Sequence, residues 1–192
     1  MIPLFAFASL FLVQVIACDA VLEPSYVVGL CADGKTSQEC GTGFSIGNHT
    51  IVTARHVVRD TEGNLKHGLY ARATQYYEEE LAVKVLRISE DYDIAIVHIE
   101  KHLDDTIPPC QTPPEIGDPV ETHGFFGMST IETYEGQISK FYETIIESTA
   151  ASHPGFSGGP MVNTARDCVA GVIYAHVHAS QYALSSPISA AP

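Results

Sequence analysis

His153-Pro154-Gly155-Phe156-Ser157-Gly158-Gly159-Pro160 is the stretch on which the reading of this chain turns. A serine hydroxyl is a weak nucleophile at neutral pH. It needs a partner base, an exposed position and nearby donors for the negative charge that develops on attack. Glycines on both sides of Ser157 permit a sharp turn that presents the side chain and leaves backbone N–H groups facing the same concave space. Pro160 closes the turn and opens an apolar run, Met161-Val162. A plain Gly-Pro loop between two strands has the same composition, so the chemistry rests on what lies upstream.

Two upstream stretches supply the partners. The β-branched run Ile51-Val52-Thr53-Ala54 stops at Arg55-His56-Val57-Val58, which sets His56 on a short helical turn at the end of a strand. Asp91-Tyr92-Asp93 opens the run Ile94-Ala95-Ile96-Val97-His98-Ile99, apolar enough to be buried on both faces. An Asp at the mouth of such a strand is partly desolvated, as a residue that orients a histidine must be. Asp93, directly before the apolar run, is preferred over Asp91.

The 192 residues, 45% of them hydrophobic and 17% charged, suffice for one sizeable domain or two small barrels. Fifteen Gly, eleven Pro and many Val, Ile, Thr and Tyr favour short strands joined by turns over long helices. Alternating or β-branched segments predict strands near 25–30, 43–46, 51–54, 69–74, 81–88 and 94–99. A second series follows near 119–125, 134–139, 144–148, 159–163, 169–174 and 182–185. Between the two series, 101–114 carries four prolines and reads as a linker. The pattern predicts an all-β chain of two small antiparallel barrels of about six strands each. The N-terminal barrel spans 21–108 and carries the His and Asp. The C-terminal barrel spans 109–192 and carries the Ser. A net charge of −13 argues against nucleic acid and anionic membrane as partners, since both require basic patches.

Residues 2–17 are almost wholly apolar, short for a membrane span and suited to the core of an export signal. Cleavage after Ala20, lipidation at Cys18 within Val15-Ile16-Ala17-Cys18, and retention as an anchor all stay open. Each places the chain outside the cytoplasm: secreted, periplasmic or lipid-anchored. Setting Cys18 aside leaves an even set, Cys31, Cys40, Cys110 and Cys168. Cys31 and Cys40 flank a polar, Gly-containing loop between two apolar runs, which predicts a Cys31–Cys40 disulfide. Elimination leaves Cys110 and Cys168, whose pairing stays open. No CxxC spacing exists, and neither a metal nor a cofactor is expected. Asn48-His49-Thr50 is a glycosylation sequon.

Taken together, Gly41-Thr42-Gly43-Phe44, Ile51-Val52-Thr53-Ala54-Arg55-His56-Val57-Val58, Asp93-Ile94-Ala95-Ile96-Val97, Ile116-Gly117-Asp118-Pro119-Val120, Glu135-Gly136-Gln137-Ile138-Ser139 and Pro154-Gly155-Phe156-Ser157-Gly158-Gly159-Pro160 resemble the trypsin-like serine peptidases of the Deg/HtrA type. The resemblance implies a chymotrypsin-like fold of two six-stranded antiparallel Greek-key barrels with the site in the cleft between them. It implies Ser157 as nucleophile, His56 as general base and acid, Asp93 as the group orienting His56, and the N–H groups of Gly155 and Ser157 as the oxyanion hole. The substrate is then a protein or peptide. A catalytically inactive relative that binds proteins is the alternative.

The chain also departs from the family. Phe156 stands where digestive trypsin relatives have Asp and Deg/HtrA relatives have Asn, so activation by a newly cut N-terminus is not expected. The residues after the serine loop complete the second barrel, and no PDZ domain is expected. For the pocket, the resemblance points to Ala151, Ser152, Ile173, Tyr174, His176 and Ala183. Ala151 replaces the Asp of enzymes that cut after Lys or Arg. Ile173, Tyr174 and Ala183 would wall a small apolar pocket. Ser152 with His176 or His178 would bind an acidic side chain. His49, His67, His98, His102 and His123 read as surface or packing residues.

Overall fold

The computed structural model describes residues 24–33, 40–47, 49–73, 79–126, 130–177 and 182–188. The segment read as an export signal, Cys18, Asn48 of the sequon and His178 lie outside these. Twelve strands and one helical turn follow in chain order. The first set is β1 (Val27–Cys31), β2 (Gly41–Gly47), β3 (Thr50–Thr53), the turn α1 (Arg55–Val58), β4 (Tyr70–Ala73), β5 (Leu81–Ile88) and β6 (Ala95–Ile99). The second is β7 (Pro119–Phe126), β8 (Thr130–Phe141), β9 (Ile146–Ala151), β10 (Pro160–Asn163), β11 (Cys168–His176) and β12 (Tyr182–Pro187). Each set closes on itself as an antiparallel barrel, in the orders β1-β2-β3-β6-β5-β4 and β10-β11-β12-β9-β8-β7. Closure removes the open edges that such short strands would otherwise present.

Three apolar clusters hold this arrangement. Val28, Leu30, Ile51, Val97 and Ile99 fill the first barrel. Val120, Ile138, Ile146, Met161 and Ala183 fill the second. Between them, Phe44, Val52 and Ile94 of the first barrel meet Val162, Val169, Val172 and Ile188 of the second, with Ile107 of the linker. β6 corrects one expectation: Ile96 and His98 are only half-buried while their neighbours are enclosed. A barrel strand has one inner face, so even a run this apolar alternates.

Both cysteine pairs are bridged, Cys31 to Cys40 and Cys110 to Cys168. The second ties the end of the linker to β11. Beside it, Cys110 N–H donates to Val169 O at 2.9 Å and Val169 N–H to Pro108 O at 2.9 Å. No helix among the described residues is long and apolar enough to cross a membrane.

Candidate active site

Position 56 is set by the end of β3. The chain leaves the strand at Ala54 and makes the single turn α1, whose Val57 and Val58 are buried while His56 is exposed. Asp93 is delivered by the bend before β6, where Ser89 N–H donates to Ile94 O at 2.9 Å and Tyr92 N–H to Ser89 Oγ at 3.1 Å. Arg55 clamps the same bend by donating to the carbonyls of Ser89 and Glu90 at 3.2 and 3.1 Å. The result is a two-point contact. The His56 amide donates to Asp93 Oδ1 at 3.1 Å, and His56 Nδ1 lies 2.5 Å from Asp93 Oδ2.

Burial of the Asp93 carboxyl pushes its pKa up, but the hydrogen bonds and charge of His56, with Arg55 beside it, outweigh that and leave it below the ordinary range. An ionised carboxylate only accepts, so Nδ1 carries the proton of the neutral ring and Nε2 carries the lone pair. Arg55, 3.8 Å from Asp93 Oδ1, was not singled out by the sequence reading, although it adjoins His56.

Ser157 sits at the join of two turns. His153 O accepts from Phe156 N–H at 3.0 Å, with Pro154 and Gly155 between them and φ +102° at Gly155. Phe156 O then accepts from Gly159 N–H at 2.8 Å, with φ +90° at Gly158. Both follow the type II pattern, which favours Pro at its second residue and requires positive φ at its third. A side chain at Gly158 would also collide with Thr42 O, 2.1 Å from the position of a Cβ. Neither the Gly155 nor the Ser157 N–H donates to another described residue, so both are free for a ligand oxygen.

The Phe156 ring is fully enclosed, beside Tyr134 and His153 at centroid separations of 5.8 and 6.0 Å. It rests on Gly124, where a Cβ would lie 2.4 Å from the ring.

The two halves approach across the cleft. The Gly41 Cα is wedged so that a Cβ there would meet Val57 Cγ2 at 2.5 Å and Ser157 O at 2.7 Å. No hydrogen bond joins Ser157 Oγ and His56.

Residues 41–172 match the family model of the trypsin-like peptidase domain. The chain belongs to the trypsin-like peptidases. Solved structures share its fold. One is a serine endoprotease from Yersinia pestis, with TM-score 0.73 and 19% identity over 87% of this chain and 60% of that one. Another is the active form of the Rv3671c protease from M. tuberculosis, with TM-score 0.73 and 19% identity over 86% of this chain and 77% of that one. Its inactive form gives 0.70 and 18%, over 86% and 85%. The chain therefore spans about 60% of the Yersinia enzyme's length.

In this trypsin-like peptidase a cavity of about 280 Å³ adjoins Ser157. Ser152, Ile173, Tyr174 and His176 line it, together with His153, Pro154, Phe156 and Ala175. Burial raises the Tyr174 phenol above its ordinary pKa, and the charge of Asp93 raises it further. Two of the pocket residues expected from sequence lie elsewhere. Ala183 is enclosed in the core of the second barrel, and Ala151 pairs with Tyr182 outside the lining. The register slips between Ile173 and Ala175 and between Tyr182 and Leu184. Such slips change which face of the sheet the neighbouring residues occupy.

On the other side of His56 runs a groove of about 910 Å³, bordered by Asp33, Arg59, Leu65 and His67. His123 is buried, with Nδ1 2.8 Å from Thr133 Oγ1. His49 stands beside His98 and His102 at 5.6 and 5.9 Å between ring centroids, at the opposite end of β3 and β6 from His56. Among the described residues no group of three or more His, Cys, Asp or Glu is arranged to hold a metal ion.

Proposed function

We propose that the chain is a serine endopeptidase working through Ser157, His56 and Asp93. One observation carries this reading: a histidine whose Nδ1 is held by a carboxylate precedes Val57, which meets Ser157 O at Gly41, and the serine loop leaves the amides of Gly155 and Ser157 undonated. In the first step Ser157 Oγ attacks the scissile carbonyl carbon while His56 Nε2 takes the hydroxyl proton. The carbonyl oxygen becomes an anion received by the N–H groups of Gly155 and Ser157. Collapse of the adduct breaks the C–N bond, and His56 gives its proton to the departing amine. Water, deprotonated by the same Nε2, then attacks the carbonyl carbon of the ester left on Ser157; the C–Oγ bond breaks, Oγ takes the proton back from His56, and the acid leaves. Asp93 stays ionised throughout and stabilises the imidazolium.

The side chain before the cut enters the cavity beside Ser157, and the leaving segment runs along the groove past His56. Ile173, Tyr174, Ala175 and Phe156 favour a small apolar side chain. Ser152 and His176, on the same cavity, support an acidic one as the second reading, and cleavage of a peptide library separates the two. The proposed location is outside the cytoplasm, with which two disulfides accord.

Fluorophosphonate labelling of residues 21–192 tests the assignment. Wild type is expected to label, and Ser157→Ala and His56→Ala to fall to background. A folded wild type that does not label favours the inactive, protein-binding relative instead.

A further inference from the structure

Thr42, the second residue of β2, is fully enclosed, and its polar atoms reach the serine loop, β7 and β3. Its N–H donates to Ser157 O at 2.7 Å. Its Oγ1 donates to Gly155 O at 2.6 Å and accepts from Phe125 N–H at 2.9 Å. Its carbonyl accepts from Thr53 Oγ1 at 2.6 Å. The direction of the hydroxyl is not a choice. Phe125 offers only a proton and Gly155 only a lone pair, so the single hydroxyl hydrogen must point at Gly155.

We infer that the Thr42 hydroxyl is the positioning residue that holds the oxyanion-binding amides in place, an inference that rests on the roles proposed above for Gly155 and Ser157. Thr42 grips the carbonyls of residues 155 and 157. These belong to the peptide planes on either side of the one that carries the Ser157 N–H, so that plane is bracketed by two anchored neighbours. The Gly155 N–H turns about a Cα whose carbonyl side is anchored by the hydroxyl. Gly155 has no side chain to limit its rotation, and restraint beyond the loop's own turn hydrogen bond has to come from outside the loop. Here it comes from the other barrel: β2 reaches across the cleft, and through Phe125 N–H the same hydroxyl ties in β7. A hydroxyl able to donate and accept at once is needed, because Gly155 O and Phe125 N–H are both left unpaired if it is removed.

The isosteric Thr42→Val and the conservative Thr42→Ser variants test this, read as kcat and KM on a peptide ester or amide at a temperature where circular dichroism shows each folded. Thr42→Val is expected to lower kcat by about 10- to 100-fold with KM within about twofold, below the ~10²–10³-fold cost of deleting an oxyanion donor outright. Thr42→Ser is expected to recover to within about threefold of wild type. A folded Thr42→Val with wild-type kcat overturns the inference, as does a Thr42→Ser as impaired as Thr42→Val, which would mean that bulk and not the hydroxyl matters.

A second readout does not depend on turnover: the ¹⁵N–¹H resonances of Gly155 and Ser157 are expected to shift and exchange faster in Thr42→Val. Unchanged resonances overturn the inference even in a chain without peptidase activity. An active wild type with an insensitive Thr42→Val removes the role of Thr42 and leaves that of Ser157 intact.

Discussion

At the scale of single residues, the buried imidazole of His123 gives the fold a pH dependence with a definite sign. Burial lowers its pKa from the ordinary 6.5 to about 4. As pH falls below 6.5 the unfolded chain takes up a proton that the folded one refuses until about 4. Stability is therefore full above 6.5, is lost between 6.5 and 4, and levels off below, by an amount on the order of 3 kcal/mol. The groups facing the ring are Tyr26 Oη at 3.4 Å, Thr133 Oγ1 at 2.8 Å and Glu121 Oε2 at 3.5 Å. Glu121 is itself shifted upward by burial and by the charge of Glu135, so it binds a proton earlier in the fold and offsets part of the loss. Denaturant titrations of wild type and His123→Gln across pH 4–8 measure this, and the variant is expected to show the flatter profile. Equal slopes would assign the loss to other groups. None of this was legible in the sequence, where His123 has no motif around it: Tyr26 lies 97 positions away.

At the scale of elements, the serine loop was the most legible part of the chain and its support the least. Pro154, Gly155, Gly158 and Gly159 dictate local turns, and their geometry follows from residue types alone. The strands were legible for the same reason, since alternation and turn residues are local signals; β5 occupies the whole of the expected 81–88. What holds the loop is remote. Thr42 is 113 residues from Gly155, and the shelf under Phe156 is the bare Cα of Gly124. Ala183, which the resemblance placed in the pocket, lies in the core of the second barrel, next to a register slip between Tyr182 and Leu184 that no local signal in the sequence announces. The shelf carries a prediction. Gly124→Ala is expected to displace the Phe156 ring and lower fluorophosphonate labelling by tenfold or more, with the loop disturbed before the barrel unfolds. Gly124→Ala combined with Phe156→Leu is expected to recover much of the loss, because the smaller side chain vacates the space. Losses that simply add in the double variant would show that the two sites do not share that volume.

For the whole molecule, the two disulfides differ in what they constrain. Cys31–Cys40 closes a span of 9 residues, and Cys110–Cys168 one of 58 that runs from the linker through most of the second barrel. On loop-closure entropy the longer bridge is worth about 4 kcal/mol and the shorter about 2.5 kcal/mol. Replacing Cys110 and Cys168 by Ser is expected to lower the melting temperature more than the same change at Cys31 and Cys40, as calorimetry would show; the reverse order would point to strain or residual structure as the dominant factor. The division of labour between barrels has a consequence of its own. On the roles proposed above, His56 and Asp93 work from one barrel and Ser157 from the other, so a copy in which either has opened can be cut but cannot cut. Self-digestion then needs an intact molecule to meet an opened one. Its rate follows the product of the two populations: slow in the cold, slow again when all copies have melted, and fastest at the midpoint between.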